Sequence, residues 1–85
     1  MDIEKIKQEA VKQAKKFIAD EENFKFGGEN YSPAEWFLIM SLAQTYYNLI
    51  KGIYTREQAK AEQNEKIKAV IEHEDIFEDA DDGQE

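Results

Sequence analysis

Tyr31 to Tyr54, YSPAEWFLIMSLAQTYYNLIKGIY, constrains the chain more than any other stretch. Ser32-Pro33-Ala34-Glu35 is a helix start: Ser32 can cap free backbone donors, Pro33 suits the first helical position, and Glu35 can close a capping box onto Ser32. Tyr31 and Trp36 are spaced for a hydrophobic staple. The pattern predicts a helix to about Lys51, ended by Gly52 in the left-handed conformation. Around its circumference Trp36, Met40, Ala43, Tyr47, Ile50 and Tyr54 form one apolar stripe. Leu38, Ile39, Leu42, Tyr46, Leu49 and Ile53 form an adjoining one. Together they span roughly 200°, about twice the apolar width of an ordinary surface helix. Ser41, Gln44, Thr45, Asn48 and Lys51 fill the remaining arc, with Phe37 among them. Such a helix needs cover on two sides, from neighbouring helices or from one neighbour and a second copy of the chain.

Upstream, Asp2 is placed to cap a first helix reaching Ala19. Ile3, Ile6, Ala10, Ala14 and Phe17 form its inner stripe, edged by Val11 and Ile18. Lys5, Lys12, Lys15 and Lys16 lie outside and read as a solvated face. Asp20–Asn30 is a loop in which Gly27-Gly28 permits a turn, and Phe24 and Phe26 are expected to tuck beside Trp36. Downstream, Thr55-Arg56-Glu57-Gln58 is a second capping box, opening a helix to about His73. Its face of Ala59, Ile67, Val70 and Ile71, interrupted by Gln63, is thin. Ile76 and Phe77, or another molecule, would have to widen it. The expected fold is therefore all-α: a small three-helix bundle over residues 1–77, with helices at about 3–19, 33–51 and 56–73. The central helix is expected to be nearly fully buried, a glycine turn leads into the third, and residues 78–85 form a disordered acidic tail.

Tyr47–Ile67, with the kernel Gly52-Ile53-Tyr54-Thr55-Arg56-Glu57-Gln58-Ala59, resembles the short helical hairpin of SHOCT-type domains. It is also similar to a recurring segment of small proteins from phages and prophages of Gram-positive bacteria. Ala59 stands where SHOCT domains carry a large aromatic residue, and Gln63 where they carry lysine. The resemblance implies a small interaction or oligomerisation module, of phage origin, and brings no catalytic residues.

The chain is one 85-residue domain without cysteine, so neither disulfides nor thiolate metal sites can reinforce its core. No apolar run is long enough to span a bilayer and the N-terminus lacks a signal-peptide pattern, so a cytoplasmic location is expected. The net charge of −8 argues against direct nucleic-acid binding. The third helix, despite following a helix-turn, balances Arg56, Lys60, Lys66 and Lys68 against Glu57, Glu62, Glu65 and Glu72. Acids concentrate in two places: Asp20, Glu21, Glu22 and Glu29 in the loop, and Glu74, Asp75, Glu78, Asp79 and their neighbours in the tail.

Chemistry finds little footing. Phe24 and Phe26 occupy positions where a calcium loop needs oxygen donors, and Gly27-Gly28 lacks the lysine and preceding strand of a phosphate loop. His73 is the single histidine, with no second imidazole for zinc. Ser32 and Ser41 have no evident base. The expectation is a non-enzymatic protein with no cofactor and no membrane partner, acting by contact. Its partner would be a protein with a basic surface, gripped by the loop and tail acids, with Phe37 as an exposed anchor. A phage-encoded inhibitor of a nucleic-acid-handling enzyme, in the manner of small acidic anti-CRISPR proteins, fits this description. The alternative is a self-associating structural module that forms a homodimer. Ser32, Pro33, Glu35, Trp36, Gly52 and Thr55 are assigned structural roles. The tyrosine tips of the central helix, at Tyr46, Tyr47 and Tyr54, are expected to seek partners at an interface.

Overall fold

The computed structural model describes residues 2–26 and 31–72. They form three helices, α1 (Ile3–Ala19), α2 (Pro33–Ile50) and α3 (Arg56–Glu72), and no strand among the described residues. His73, Ile76, Phe77, the acids Glu74, Asp75, Glu78 and Asp79 and the 78–85 tail lie outside them, as do Gly27, Gly28 and Glu29.

Each helix begins where its cap dictates. Asp2 accepts the Lys5 amide at 3.2 Å. Ser32 and Glu35 form the full reciprocal box, Glu35 N to Ser32 Oγ at 3.2 Å and Ser32 N to Glu35 Oε1 at 2.8 Å. Thr55 and Gln58 repeat that exchange at 2.9 and 3.1 Å. The end of α2 is a Schellman motif. Gly52 has φ +79°, its amide donates to Leu49 O at 3.1 Å, and the Ile53 amide reaches back to Asn48 O at 2.8 Å. These local bonds set the helix limits and the tight α2–α3 turn.

The helices pack in two different senses. Lys5 lies over the Tyr31 ring at 5.7 Å and Phe17 meets Tyr47 at 5.4 Å, so both ends of α1 match the same ends of α2. α1 and α2 therefore run in the same direction, and the connection between them must return along the pair. α3 runs the opposite way, since Thr45 meets Glu62 while Ser41 meets Lys66.

The core is the α1–α2 seam. Ile6, Ala10 and Ala14 close on Leu38, Ile39, Leu42 and Tyr46, and Val70 of α3 joins them. Ile6, Leu38, Ile39 and Leu42 lose all contact with solvent, each stabilising the fold by about 2 kcal/mol through apolar burial. α3 sits on a different arc of α2 from the one its apolar residues would suggest. It covers Ser41 and Thr45, part of the polar arc left outside the two apolar stripes, and Thr45 is 0% exposed. The central helix is consequently not enclosed all round. α1 and α3 cover two sides, while Phe37 (49%), Met40 (53%) and Ile50 (47%) remain open.

Candidate functional site

α1, the returning connection and α2 enclose an open cavity of about 470 Å³. α1 contributes Gln13, Ala14 and Phe17, at i, i+1 and i+4, which place them on one helical face. The connection contributes Phe24 and Phe26; α2 contributes Met40, Ala43, Gln44 and Tyr47. Among these residues none carries a formal charge.

The walls are tied together by aromatic edges. Tyr47 meets Phe17 at 5.4 Å, Phe17 meets Phe24 at 5.3 Å, and Phe24 meets Phe26 at 6.4 Å. Phe26 then meets Trp36 at 5.0 Å and Trp36 meets Tyr31 at 5.1 Å. Four of these five contacts are edge-to-face, the geometry that ring quadrupoles favour. The expected docking of Phe24 and Phe26 beside Trp36 is thus part of a longer row of six rings, from the end of α2 back to its start. Burial lifts the Tyr31 hydroxyl above the ordinary tyrosine pKa, and the nearby Glu9 carboxylate adds to the rise.

Asp20, Glu21 and Glu22 are exposed and, with Asn23 between, precede Phe24, so charge leads into the apolar wall. Asp20 itself is engaged locally, capping the turn through the Asn23 amide at 3.2 Å. Met40 stands on the opposite wall, and Phe37 lies one position before the buried Leu38 on the open arc of α2. Glu29 and the tail acids belong to the part of the chain outside the described residues.

A second cluster lies between α2 and α3. The Thr45 hydroxyl donates to Glu62 Oε1 at 2.7 Å, and Lys66 Nζ donates to Thr45 Oγ1 at 2.8 Å and to Ser41 O at 2.7 Å. Lys66 also pairs with Glu62 at 2.9 Å. Tyr46 Oη donates to Gln63 Oε1 at 2.6 Å, and the Tyr54 hydroxyl faces the Glu62 carboxylate, which raises its pKa. Lys66 first, then Thr45 and Tyr54, hold the Glu62 carboxyl down to a pKa of about 2. Burial pushes the Tyr46 hydroxyl up to about 12. The hydroxyl and amine of a nucleophile pair are present here, but Thr45 is fully covered and Lys66 is tied up in an ion pair with Glu62. The arrangement is a clasp between helices. It also engages the tips of Tyr46 and Tyr54 inside the chain, where the sequence suggested an interface with another molecule.

Gln13, Thr45, Glu62 and Lys66 were not marked by sequence pattern. Gln13 did leave a trace: it falls on the stripe of Ile6, Ala10, Ala14 and Phe17, a polar residue on an apolar face. Among the described residues no group of three or more His, Asp or Glu is arranged to hold a metal ion. No helix among them is long and apolar enough to cross a membrane. Comparison with protein-family models, with curated proteins and with solved structures gives no match.

Proposed function

We propose that this chain acts by contact, as a small acidic module that binds a protein with a basic surface. The observation that carries the reading is the adjacency of exposed acid and exposed apolar surface. Asp20, Glu21 and Glu22 lead into a cavity wall, and on the far wall α2 leaves Met40 about half exposed, with Phe37 on the same open arc. A partner segment carrying apolar side chains flanked by lysine or arginine complements both. The acids would steer association and the apolar arc would hold the complex. Occupation of the basic channel of a nucleic-acid-handling enzyme, in the manner of an anti-CRISPR protein, is the form of this function that a net charge of −8 suits.

A second reading, self-association, draws on Ile50 and Ile53, 47% and 63% exposed where α2 ends. The same net charge works against it, because two copies repel. Sedimentation at micromolar concentration across a range of salt distinguishes the two. A monomer throughout is expected, and a dimer that strengthens with salt supports the second reading instead.

The contact reading is tested with a partner recovered from host extract and then purified. Its affinity for the chain is expected to fall steeply with salt. Replacing Asp20, Glu21 and Glu22 with their amides flattens that dependence, while Phe37→Ala weakens binding at every salt concentration. Affinity indifferent to both sets of changes would overturn the assignment of this surface.

A further inference from the structure

The charges of α1 are unevenly answered. Each acid of the helix and its caps is engaged locally: Asp2 accepts from the Lys5 amide, Glu4 pairs with Lys7 at 3.5 Å, Glu9 accepts from Gln13 at 2.6 Å, and Asp20 accepts from Asn23 at 3.2 Å. Lys5 lies over the Tyr31 ring. Lys12, Lys15 and Lys16 are exposed, and among the described residues none of them pairs with a carboxylate. With Gln8 and Ala19, three or four residues apart, they share the side of α1 opposite the Ile6–Ala10–Ala14 stripe. There they line a shallow depression of about 510 Å³ edged by Val11. Like charges at this spacing repel and oppose the helix that carries them, so an anionic cover stabilises it.

The matching charge belongs to the same chain. Residues 74–85 hold seven acids and no base, and so carry −7 of the net −8. Because α1 runs with α2 and α3 against it, α3 delivers Glu72 to the end of the bundle where α1 begins, and Val70 there joins the cluster of Ile6. The 17 residues of α1 rise about 25 Å. Residues 73–85, outside the described ones, span up to about 43 Å when extended, enough to follow α1 from start to finish.

We propose that residues 74–85 dock on the lysine face of their own α1, with carboxylates against Lys12, Lys15 and Lys16 and with Ile76 and Phe77 toward Val11. The tether favours this occupant over a second copy, since a short linker holds its two ends at an effective concentration of roughly millimolar. The contact does not depend on the protein-partner reading. Its effect is to keep the densest negative charge of the molecule covered until a more basic surface competes for it.

The chain has no cysteine, so Gln84→Cys admits a single nitroxide without altering the charge of the segment. In the ¹⁵N-labelled full chain at low salt, the nitroxide is expected to broaden the amides of Lys12, Lys15 and Lys16 well beyond those of Ala61 and Asn64. These two exposed residues of α3 lie about as far along their helix from Glu72 as the lysines lie along α1, so an undocked segment would broaden both sets alike. Replacing the three exposed lysines together with glutamine is expected to abolish the difference. Ionic strength of about 1 M, where charges are screened beyond ~3 Å, is expected to do the same. Equal broadening of the two sets in the low-salt chain overturns the proposal, as does a difference that survives either the lysine replacement or the salt. A mixture of ¹⁵N chain without nitroxide and nitroxide-bearing ¹⁴N chain is expected to show no broadening of α1. Broadening there as strong as within one chain assigns the contact to a second copy and overturns the proposal too.

Discussion

On one flank of α2, Leu38, Ile39 and Leu42 close against Ile6, Ala10 and Ala14; on the other, Ser41 and Thr45 meet Glu62 and Lys66. The first flank draws its strength from apolar area, which needs shape but little direction. The second depends on hydrogen bonds and a half-sheltered ion pair, which need direction and give little net energy. α3 brings mainly Ala59 and Val70 into full burial, so its attachment rests on a few directed bonds. The lesson is a division of labour along one helix: the flank of α1 supplies cohesion, and the flank of α3 supplies alignment.

The sharpest way to break that contrast is Leu42→Ala. It opens a void in the cohesive flank and is expected to cost about 3 kcal/mol, read as a lower melting temperature for the whole fold. Lys66→Met should act on the other flank alone. It removes the ion-pair partner of the Glu62 carboxylate and one donor to the Ser41 carbonyl at a cost of about 2 kcal/mol, with amide exchange accelerating in α3 before α1. Adding Thr45→Val and Glu62→Leu to that change should recover most of the loss, since an apolar seam replaces a broken polar one.

Acid provides a milder version. The Glu62 carboxyl is held below its unfolded value of 4.5, at about 2. Its contribution is therefore fully present above pH 4.5 and is lost as pH falls from there toward 2. With 32% of the side chain exposed, solvent limits the effect to about 1 kcal/mol, seen as earlier melting of α3 in an acid titration followed by amide exchange. Gly52→Ala is expected to cost about 1 kcal/mol through its φ of +79° alone, because an added Cβ there meets nothing within 4 Å. Smallest of all is Lys68→Ala. The pair it breaks with Glu72 spans 3.9 Å between side chains 76% and 57% exposed, and the melting temperature is expected to move by less than the equivalent of ~0.5 kcal/mol.

Helix limits were legible in the sequence because caps are local: Asp2, Ser32–Glu35, Gly52 and Thr55–Gln58 each act within three or four residues. The inner stripe of α1 was legible for the same kind of reason, since a period of 3.6 marks an apolar face. The seating of α3 was not. Thr45 gave no sign of it because a short hydroxyl side chain looks alike whether it meets water, a glutamate seventeen residues on or a lysine twenty-one residues on, and Ser41 takes part through its backbone carbonyl, which any residue would offer. Nor does periodicity reveal direction, so the parallel course of α1 and α2 emerged only from contacts such as Phe17 with Tyr47. The cavity escaped because its walls come from three separate segments.

The row of six rings has a practical consequence. The chain's single indole, Trp36, belongs to it, between Phe26 and Tyr31. Its emission therefore watches the returning connection and the flank of α1, and is nearly blind to the clasp that holds α3. Fluorescence and circular dichroism followed together will consequently separate in time or in denaturant whenever α3 lets go first, so this small molecule can be caught opening one side at a time with no dye attached.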